Sequence, residues 1–295
     1  AFPLLSQELT THLPPQYVYK MWDNKNGLPQ NTVFDIVEDQ HGYIWSATEE
    51  GLVRFDGHEF QTINNDNTPG LFSNSFYDMQ KTGDGFYAAS RNTVLEIKAN
   101  TRRAFDFRNK IEGSWITALV EDLNGQLIVG TNAGDLLAIK NDSIVRYSAW
   151  KSPEPIQVLG LHDGGILVGT SSGLFRMTNS GQSTEPVDGF ESRNIRTLAL
   201  PNDGSVWIGT KEHGLWHMTG ATVRNYLESD GLPERFVTSL SFDTEEKLWI
   251  GTSNSGLYTL FNDKILPIEK EGFANDAIKS ILRGRDGIIW VGTAG

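Results

Sequence analysis

The 295-residue chain contains no cysteine, which excludes both a disulfide framework and a metal site built from thiolates. Hydrophobic runs are short, and none approaches the roughly 18 residues that a membrane-spanning helix requires. Basic residues are also in the minority: 25 Lys and Arg stand against 37 Asp and Glu, for a net charge of −12. This balance argues against a protein that binds nucleic-acid phosphates, because such proteins normally carry a basic face.

Motifs that carry catalysis or bind cofactors are lacking as well. The six histidines show no compact metal-ligand spacing, and His213 and His217, four apart, fall on a loop and a strand rather than on one helix face. No nucleophile elbow or phosphate-binding loop is present. Residues 122–125 resemble part of a calcium loop but lack its final Glu, so a turn is the better interpretation. We therefore expect no catalytic residues, no metal and no cofactor.

What the chain does contain is an internal repeat of about forty residues. Its clearest mark is a small residue followed by Thr or Ser at the end of an apolar run, spaced 39 to 42 residues apart. The small residues are Ala47, Ala89, Gly130, Gly169, Gly209, Gly251 and Gly292. Repeats of this length made of short strands and turns are typical of β-propellers, whereas helical repeats would show a 3.6-residue period.

Each unit is predicted to form four antiparallel strands, a to d. In the first unit these are strand a over 33–38, strand b over 43–48, strand c over 52–56 and strand d over 59–63. The turn between strands a and b suits a hairpin, because Asp39 can bond to its own backbone and Gly42 can supply a positive φ.

Four tryptophans share one position on strand b: Trp45, Trp207, Trp249 and Trp290. We interpret them as wedges that fill the space between neighbouring blades, as large aromatic side chains commonly do. The alternative is a ladder of rings on which a ligand stacks. The small residue two places further on is expected to let strands approach closely near the axis.

The predicted fold is an all-β, seven-bladed β-propeller of four-stranded antiparallel blades. Residues 17–22 resemble a strand d, and we expect this N-terminal strand to help close the last blade, because an open ring would expose strand edges. Residues 1–16 are expected to form a lead segment and 17–295 the propeller. The seventh unit reaches Gly295 where its strand c should begin, so we expect a segment of a longer receptor.

These motifs resemble the two-component regulator propeller repeat from about residue 17 to the end. The motifs are Gly27-Leu28-Pro29-Gln30-Asn31, the turn 39–42, Ile44-Trp45 and the stretch 51–57, with a second copy that begins at Gly231-Leu232-Pro233. The second unit departs from the pattern with Thr93-Val94, the third with Gly134-Asp135, and the fourth lacks the tryptophan.

The resemblance implies an extracytoplasmic, periplasmic sensor domain of a bacterial inner-membrane receptor. Its output would be a histidine kinase or a diguanylate cyclase, and the propeller itself would not be an enzyme. The expected partner is an unknown small molecule such as an oligosaccharide or an anion, with no nucleic acid and with a homodimer possible. Two alternatives stay open: a protein-interaction or dimerisation scaffold, and a periplasmic carbohydrate-active lyase or hydrolase.

A ligand site is predicted at one mouth of the central channel, where the loops leading into strand a meet the loops between strands b and c. The candidate residues are Asn31, Glu50, Arg91, Trp115, Arg193, His213, Arg235, Asn254 and Asp276, with Asn74, Ser114, Asn132 and Ser172 at equivalent positions. Arg91, Arg193 and Arg235 are expected to trap a carboxylate or sulfate. Trp115 is expected to stack on a sugar ring. The alternatives are ordinary solvated loops or a face covered by a partner chain.

Overall fold

The computed structural model describes residues 17–98, 101–147, 150, 152–178, 183–243, 247–268 and 276–295, so the predicted lead segment 1–16 lies outside the described residues. The described chain is built of β-strands, with one short 3-10 helix at Glu228–Asp230. Within these residues no helix is long and apolar enough to cross a membrane.

Six four-stranded sheets follow one another along the chain. The first three contain β1 (Asp35–Glu38), β2 (Ile44–Thr48), β3 (Gly51–Phe55), β4 (Phe60–Ile63); β5 (Phe76–Lys81), β6 (Gly85–Ser90), β7 (Thr93–Lys98), β8 (Thr101–Asp106); β9 (Ile116–Glu121), β10 (Leu127–Thr131), β11 (Leu136–Lys140) and β12 (Ser143–Arg146). The next three contain β13 (Ile156–His162), β14 (Gly165–Thr170), β15 (Leu174–Thr178), β16 (Thr184–Pro186); β17 (Ile195–Ala199), β18 (Val206–Thr210), β19 (Leu215–Thr219), β20 (Thr222–Tyr226); β21 (Val237–Phe242), β22 (Leu248–Thr252), β23 (Leu257–Phe261) and β24 (Lys264–Pro267). A seventh sheet has only β25 (Ile278–Arg283) and β26 (Ile289–Thr293).

Within a blade the four strands pair antiparallel in chain order, as the repeat predicts. The hairpin between β1 and β2 forms as expected: one oxygen of the Asp39 carboxylate accepts the N–H groups of His41 and Tyr43, at 2.8 and 3.1 Å, and Gly42 has φ +85°. The other Asp39 oxygen accepts the indole N–H of Trp45 at 2.8 Å. The turn therefore also fixes the wedge tryptophan.

The small residues of the repeat lie at the joints between blades, where the innermost strands meet. A Cβ added at Gly209 would lie 2.5 Å from the Thr197 side chain of its own blade and 2.7 Å from Val237 of the next. The same arrangement recurs at Gly130, Gly169, Gly251 and Gly292, which face Ile156, Ile195, Ile278 and Val33. The predicted close approach near the axis is confirmed.

The wedge interpretation of the tryptophans is also confirmed. Trp45, Trp207 and Trp249 are buried. Each belongs to a hydrophobic cluster that includes side chains of the next sheet; Trp45, for example, contacts Phe86 with ring centroids 5.1 Å apart. The core of the molecule is thus a series of clusters between blades rather than within them.

The prediction of seven four-stranded blades is wrong, because the described residues form six such blades and one two-stranded sheet. The expected closing strand is wrong too: residues 17–22 form no strand. A strand d pairs with a strand c, and the sheet of β25 and β26 has no strand c to offer. Trp22 instead packs through its ring, stacking on Trp290 at 5.5 Å and meeting Phe55 edge-on at 5.2 Å.

The contact between the seventh sheet and the first blade nevertheless resembles the contacts between other neighbouring blades. The Val33 N–H donates to the Thr293 carbonyl at 3.0 Å, and Val33 faces Gly292. At the opposite end of the sheet, the Arg285 N–H donates to Glu38 at 2.8 Å, and its guanidinium donates to the carbonyls of Asp39 and Gln40. These contacts join the two ends of the described chain.

Candidate functional site

One face of the ring collects the loops that the sequence singled out, and we call it the mouth face. Because strands a and b are antiparallel, the start of strand a lies beside the end of strand b; the Phe34 N–H, for example, donates to the Ala47 carbonyl at 2.9 Å. The buried Thr that ends strand b then bonds across the b–c turn, as in Thr210 Oγ1 to the Gly214 carbonyl at 2.8 Å. This bond holds the variable turn residues in place.

Arg91 and Trp115 lie together on the mouth face, where the second blade meets the third. The Arg91 guanidinium lies over the Trp115 ring, 5.6 Å from its centroid, and Trp115 is 38% exposed. Asn132 holds the backbone at this position, because its side-chain oxygen accepts the backbone N–H of Trp115 at 2.7 Å. The structure therefore places three of the predicted positions in one aromatic and cationic patch.

Arg193 and His213 lie on the fifth blade around Trp216. The Arg193 guanidinium is 4.4 Å from the Trp216 ring centroid and donates to the Gly189 carbonyl at 2.8 Å. The Trp216 indole N–H donates to the His213 carbonyl at 2.9 Å, so the histidine backbone positions the ring. The His213 Nδ1 is buried without a hydrogen-bond partner among the described residues.

Arg235 and Asn254 are each engaged by a carboxylate. Arg235 donates to Glu228 at 2.9 Å in an exposed ion pair. The backbone N–H of Asn254 donates to Glu234 at 2.6 Å. Because Arg91, Arg193 and Arg235 each have a different local partner, a trap formed by all three stays a prediction.

The remaining predicted positions make fewer contacts that bear on binding. The Asn31 side chain accepts the Asn24 N–H at 2.8 Å and so ties its own loop, and Asn74 does the same for the next blade with Asn65. Glu50 is exposed on its b–c turn, and Asp276 is half-buried. Their role in binding stays a prediction.

Sequence reasoning missed a set of residues near the start of strand a. In six sheets a β-bulge near the start of strand a leaves one residue between two that pair with strand b. With the equivalent position of the first blade, these residues are Phe34, Tyr77, Thr117, Gln157, Arg196, Thr238 and Lys279, all half-buried. We call them the bulge ring. Bulges often re-aim side chains beside functional sites.

The neighbours of Arg196 show how the bulge ring is placed within the blades. The residues that flank Arg196 pack into the joints on the two sides of the fifth blade, Ile195 against Gly169 and Thr197 against Gly209. Members of the ring also meet across blades: Arg196 donates to the Gln157 side chain, and the rings of Phe34 and Tyr77 are 5.2 Å apart. Burial lowers the pKa of Arg196, an effect that the nearby charge of Glu212 opposes.

A signal for this ring was present in the sequence. In each unit the residue before this position is β-branched or aromatic, as in Ile195-Arg196 and Ile278-Lys279. That preceding position keeps its character while the ring position varies. Aligning the units three residues further along the chain would have found it.

Two carboxylates lie on the innermost strands just beyond the ring. Asp35 accepts the Met79 N–H of the next blade at 2.7 Å, and Asp78 accepts the Leu119 N–H of the following blade at 2.6 Å. Burial raises the pKa of Asp35 from 3.8 to about 7. Burial, together with the charge of Asp35, raises the pKa of Asp78 well above its ordinary value.

No group of three or more His, Asp or Glu side chains in the described part of the chain is placed to hold a metal ion. A cleft of about 480 Å³ lies between the fifth and sixth blades. Its walls include Trp207, His217 and Phe261, and an ion pair of Arg224 with Asp263 at 2.7 Å spans the two blades.

Comparison with known families finds the two component regulator propeller at residues 27–50 and 272–295. A stretch of 49 residues is 41% identical to histidine kinase P4 of Formosa agariphila, which is 17% of this chain and 4% of the kinase. The chain therefore matches only a small part of that protein's length.

Solved structures share the fold. The extracellular domain of a putative hybrid two component system from B. thetaiotaomicron is similar over 94% of this chain and 40% of its own, with a TM-score of 0.78 and 20% identity. Virginiamycin B lyase from Staphylococcus aureus is similar over 90% of this chain and 92% of its own, with a TM-score of 0.72 and 13% identity. PorZ, a surface component of the type-IX secretion system of Porphyromonas gingivalis, is similar over 94% of this chain and 47% of its own, with a TM-score of 0.68 and 15% identity.

Proposed function

We propose that this chain, which carries two component regulator propeller repeats, is the extracytoplasmic ligand-sensing domain of a bacterial transmembrane signalling receptor. The observation that carries the proposal is the mouth face. There, arginines stacked on aromatic rings, Arg91 on Trp115 and Arg193 on Trp216, rise from turns that the repeat holds fixed. A rigid frame with varied loops is the usual arrangement of a recognition surface.

The mouth face also has the composition that favours binding. Arginine and tryptophan are enriched where binding energy concentrates, and both supply broad, rigid contact surfaces. In a chain of net charge −12, these arginines form a cationic region suited to a small anion or to a sugar ring stacked on Trp115. Signal transmission to a kinase or cyclase output is part of the same proposal, in keeping with the two-component protein that shares this fold.

A thermal-shift screen with oligosaccharides and small anions tests the proposal. A ligand that binds only the folded state raises the melting temperature, by an amount that grows with its concentration over Kd. For any ligand found, we expect Arg193→Ala to weaken binding about tenfold or more, as loss of a charge-assisted bond does. Arg102→Ala, an exposed arginine on the outer strand β8, is the matched control and should leave the shift intact.

A second candidate is a lyase, because virginiamycin B lyase shares the fold over 90% of this chain. His213 would be its natural acid or base, and its Nδ1 has no partner among the described residues. Turnover of a ligand from the screen, abolished in His213→Ala, would replace the sensing proposal with this one. Binding without turnover supports sensing, whereas no binding together with a tight dimer in ultracentrifugation supports an interaction scaffold.

A further inference from the structure

The bulge ring has an uneven distribution of charge. Arg196, Thr238 and Lys279 occupy consecutive positions on the fifth, sixth and seventh sheets, and the ring contains no acidic residue. The next two positions around the ring hold Phe34 and Tyr77, whose rings meet edge to face. A cationic arc is thus followed directly by an aromatic arc.

The cationic arc has unused hydrogen-bonding capacity. Among the described residues, neither Arg196 nor Lys279 has a carboxylate within salt-bridge distance. The Nε of Arg196 and the Oγ1 of Thr238 are buried without any hydrogen-bond partner among those residues. A buried polar group normally has a partner, and a buried charge normally has a counterion. Among the described residues, the Arg196 guanidinium donates to the neutral Gln157 amide and lies over the Phe236 ring, 5.7 Å from its centroid.

We propose that the bulge ring binds a small organic anion that joins a carboxylate or sulfate to a flat ring. The anionic group takes the unused donors of Arg196, Thr238 and Lys279, and the flat ring lies against Phe34 and Tyr77. Arginine suits this task because its planar group bonds a carboxylate in a bidentate manner. The inference rests on the proposed function in treating the channel as the receiving site of the sensor.

The physical setting strengthens such an interaction. Arg196 is half-buried, so its charge is less screened by water than that of an exposed arginine, and burial already disfavours the unpaired cation. An anion supplies the missing counterion, while a neutral ring of the same shape leaves the cost of the buried charge in place. Discrimination between a charged ligand and its neutral analogue is therefore the expected property of the site.

The test uses 4-fluorobenzoate as the probe and 4-fluorobenzamide as its neutral analogue, followed by fluorine NMR line broadening on the 295-residue chain. We expect the protein to broaden and shift the benzoate resonance, and inorganic sulfate to reverse the effect by competing for the cations. Arg196→Gln and, separately, Lys279→Gln should each weaken benzoate binding about fivefold or more. Arg102→Gln, on the exposed outer strand β8, should bind as the parent does.

Circular dichroism melts show whether each variant is folded. If Arg196→Gln does not fold, Lys279→Gln alone tests the inference. Equal binding of benzoate and benzamide, or benzoate binding that neither ring variant weakens, overturns the inference. Absence of benzoate binding overturns it too, yet a thermal shift with another ligand, lost in Arg193→Ala, would still support the sensing role. Conversely, a screen that finds no ligand at the mouth face would count against the sensing role. Benzoate binding that depends on Arg196 and Lys279 would still support an anion site at the bulge ring.

Discussion

At the scale of single residues, Asp35 is a group whose protonation differs between the folded and the unfolded chain. Its carboxylate lies at the joint between the first two blades, accepts the N–H groups of Ile36 and Met79, and has a pKa raised by burial from 3.8 to about 7. The folded protein therefore binds this proton more tightly than the unfolded chain does. Unfolding releases it wherever the pH lies between the two values.

The direction in which stability changes with pH follows from this difference in pKa. As pH rises from about 4 to about 7, the free energy of unfolding contributed by Asp35 falls, at most by about 1.4 kcal/mol per pH unit, and above pH 7 the loss is complete. Because Asn cannot ionise, we expect Asp35→Asn to gain stability relative to the parent by about 1 kcal/mol or more between pH 5 and pH 8. Urea unfolding at the two pH values measures the difference.

Asp203→Asn provides the control for that experiment. Asp203 lies at an exposed turn, where the Ser205 N–H lowers its pKa below the ordinary value. Its titration ends below pH 5, so the difference between this variant and the parent should not grow between pH 5 and pH 8. A parallel pH dependence for Asp35→Asn and the parent would contradict the burial of the Asp35 carboxylate.

At the scale of the element, the joint between blades depends on the absence of a side chain on strand b. Gly209 has the Thr197 and Val237 side chains within 2.7 Å of the place where a Cβ would lie. We expect Gly209→Ala to cost about 1–3 kcal/mol of unfolding free energy, because overpacking forces neighbours from their rotamers. Gly83→Ala is the matched control, since nothing lies within 4 Å of its Cβ position.

Denaturant unfolding of both glycine variants gives the comparison. The control should stay within about 0.5 kcal/mol of the parent, as surface substitutions usually do. A loss at Gly209 no larger than the loss at Gly83 would show that the blades can move apart at little cost. The five glycines at this position would then have another explanation.

At the scale of the whole molecule, stability depends on how the seventh sheet meets the first blade. No strand is shared between them among the described residues. The junction consists instead of the stacked rings of Trp22 and Trp290, the Val33 bond to Thr293, and the Arg285 bonds to the first hairpin. Because the seventh sheet has only two strands among the described residues, this junction should open before the joints between four-stranded blades.

Arg285→Ala tests this junction by removing the two guanidinium bonds to the carbonyls of Asp39 and Gln40. Each bond contributes about 1 kcal/mol, so we expect amide hydrogen exchange in β25 and β26 to become about tenfold faster or more. Exchange in β9 to β12, on the far side of the ring, should be unchanged and serves as the internal control. Uniform acceleration across all blades would mean that the ring opens only by global unfolding.

The sequence alone determined the blade unit, because its signals are local. Each of these signals acts within one unit or on the contact with the next unit. They include the hairpin residues Asp39 and Gly42, the wedge Trp45 and the small residue Gly209. The same locality explains why the mouth face could be predicted: antiparallel pairing alone brings the start of strand a beside the end of strand b.

Only the tertiary structure decided how the ends meet and what the channel contains. The alternating residues 17–22 favour a strand, but a strand forms only where a partner edge exists, and the two-stranded seventh sheet offers none of the right kind. The bulge ring depends on one extra residue in each bulged strand, which leaves Arg196 and Lys279 without a pairing partner on strand b. Composition does not reveal that shift. Which strands pair, and where each side chain points, depend on the assembled ring. They could therefore not be predicted from single units.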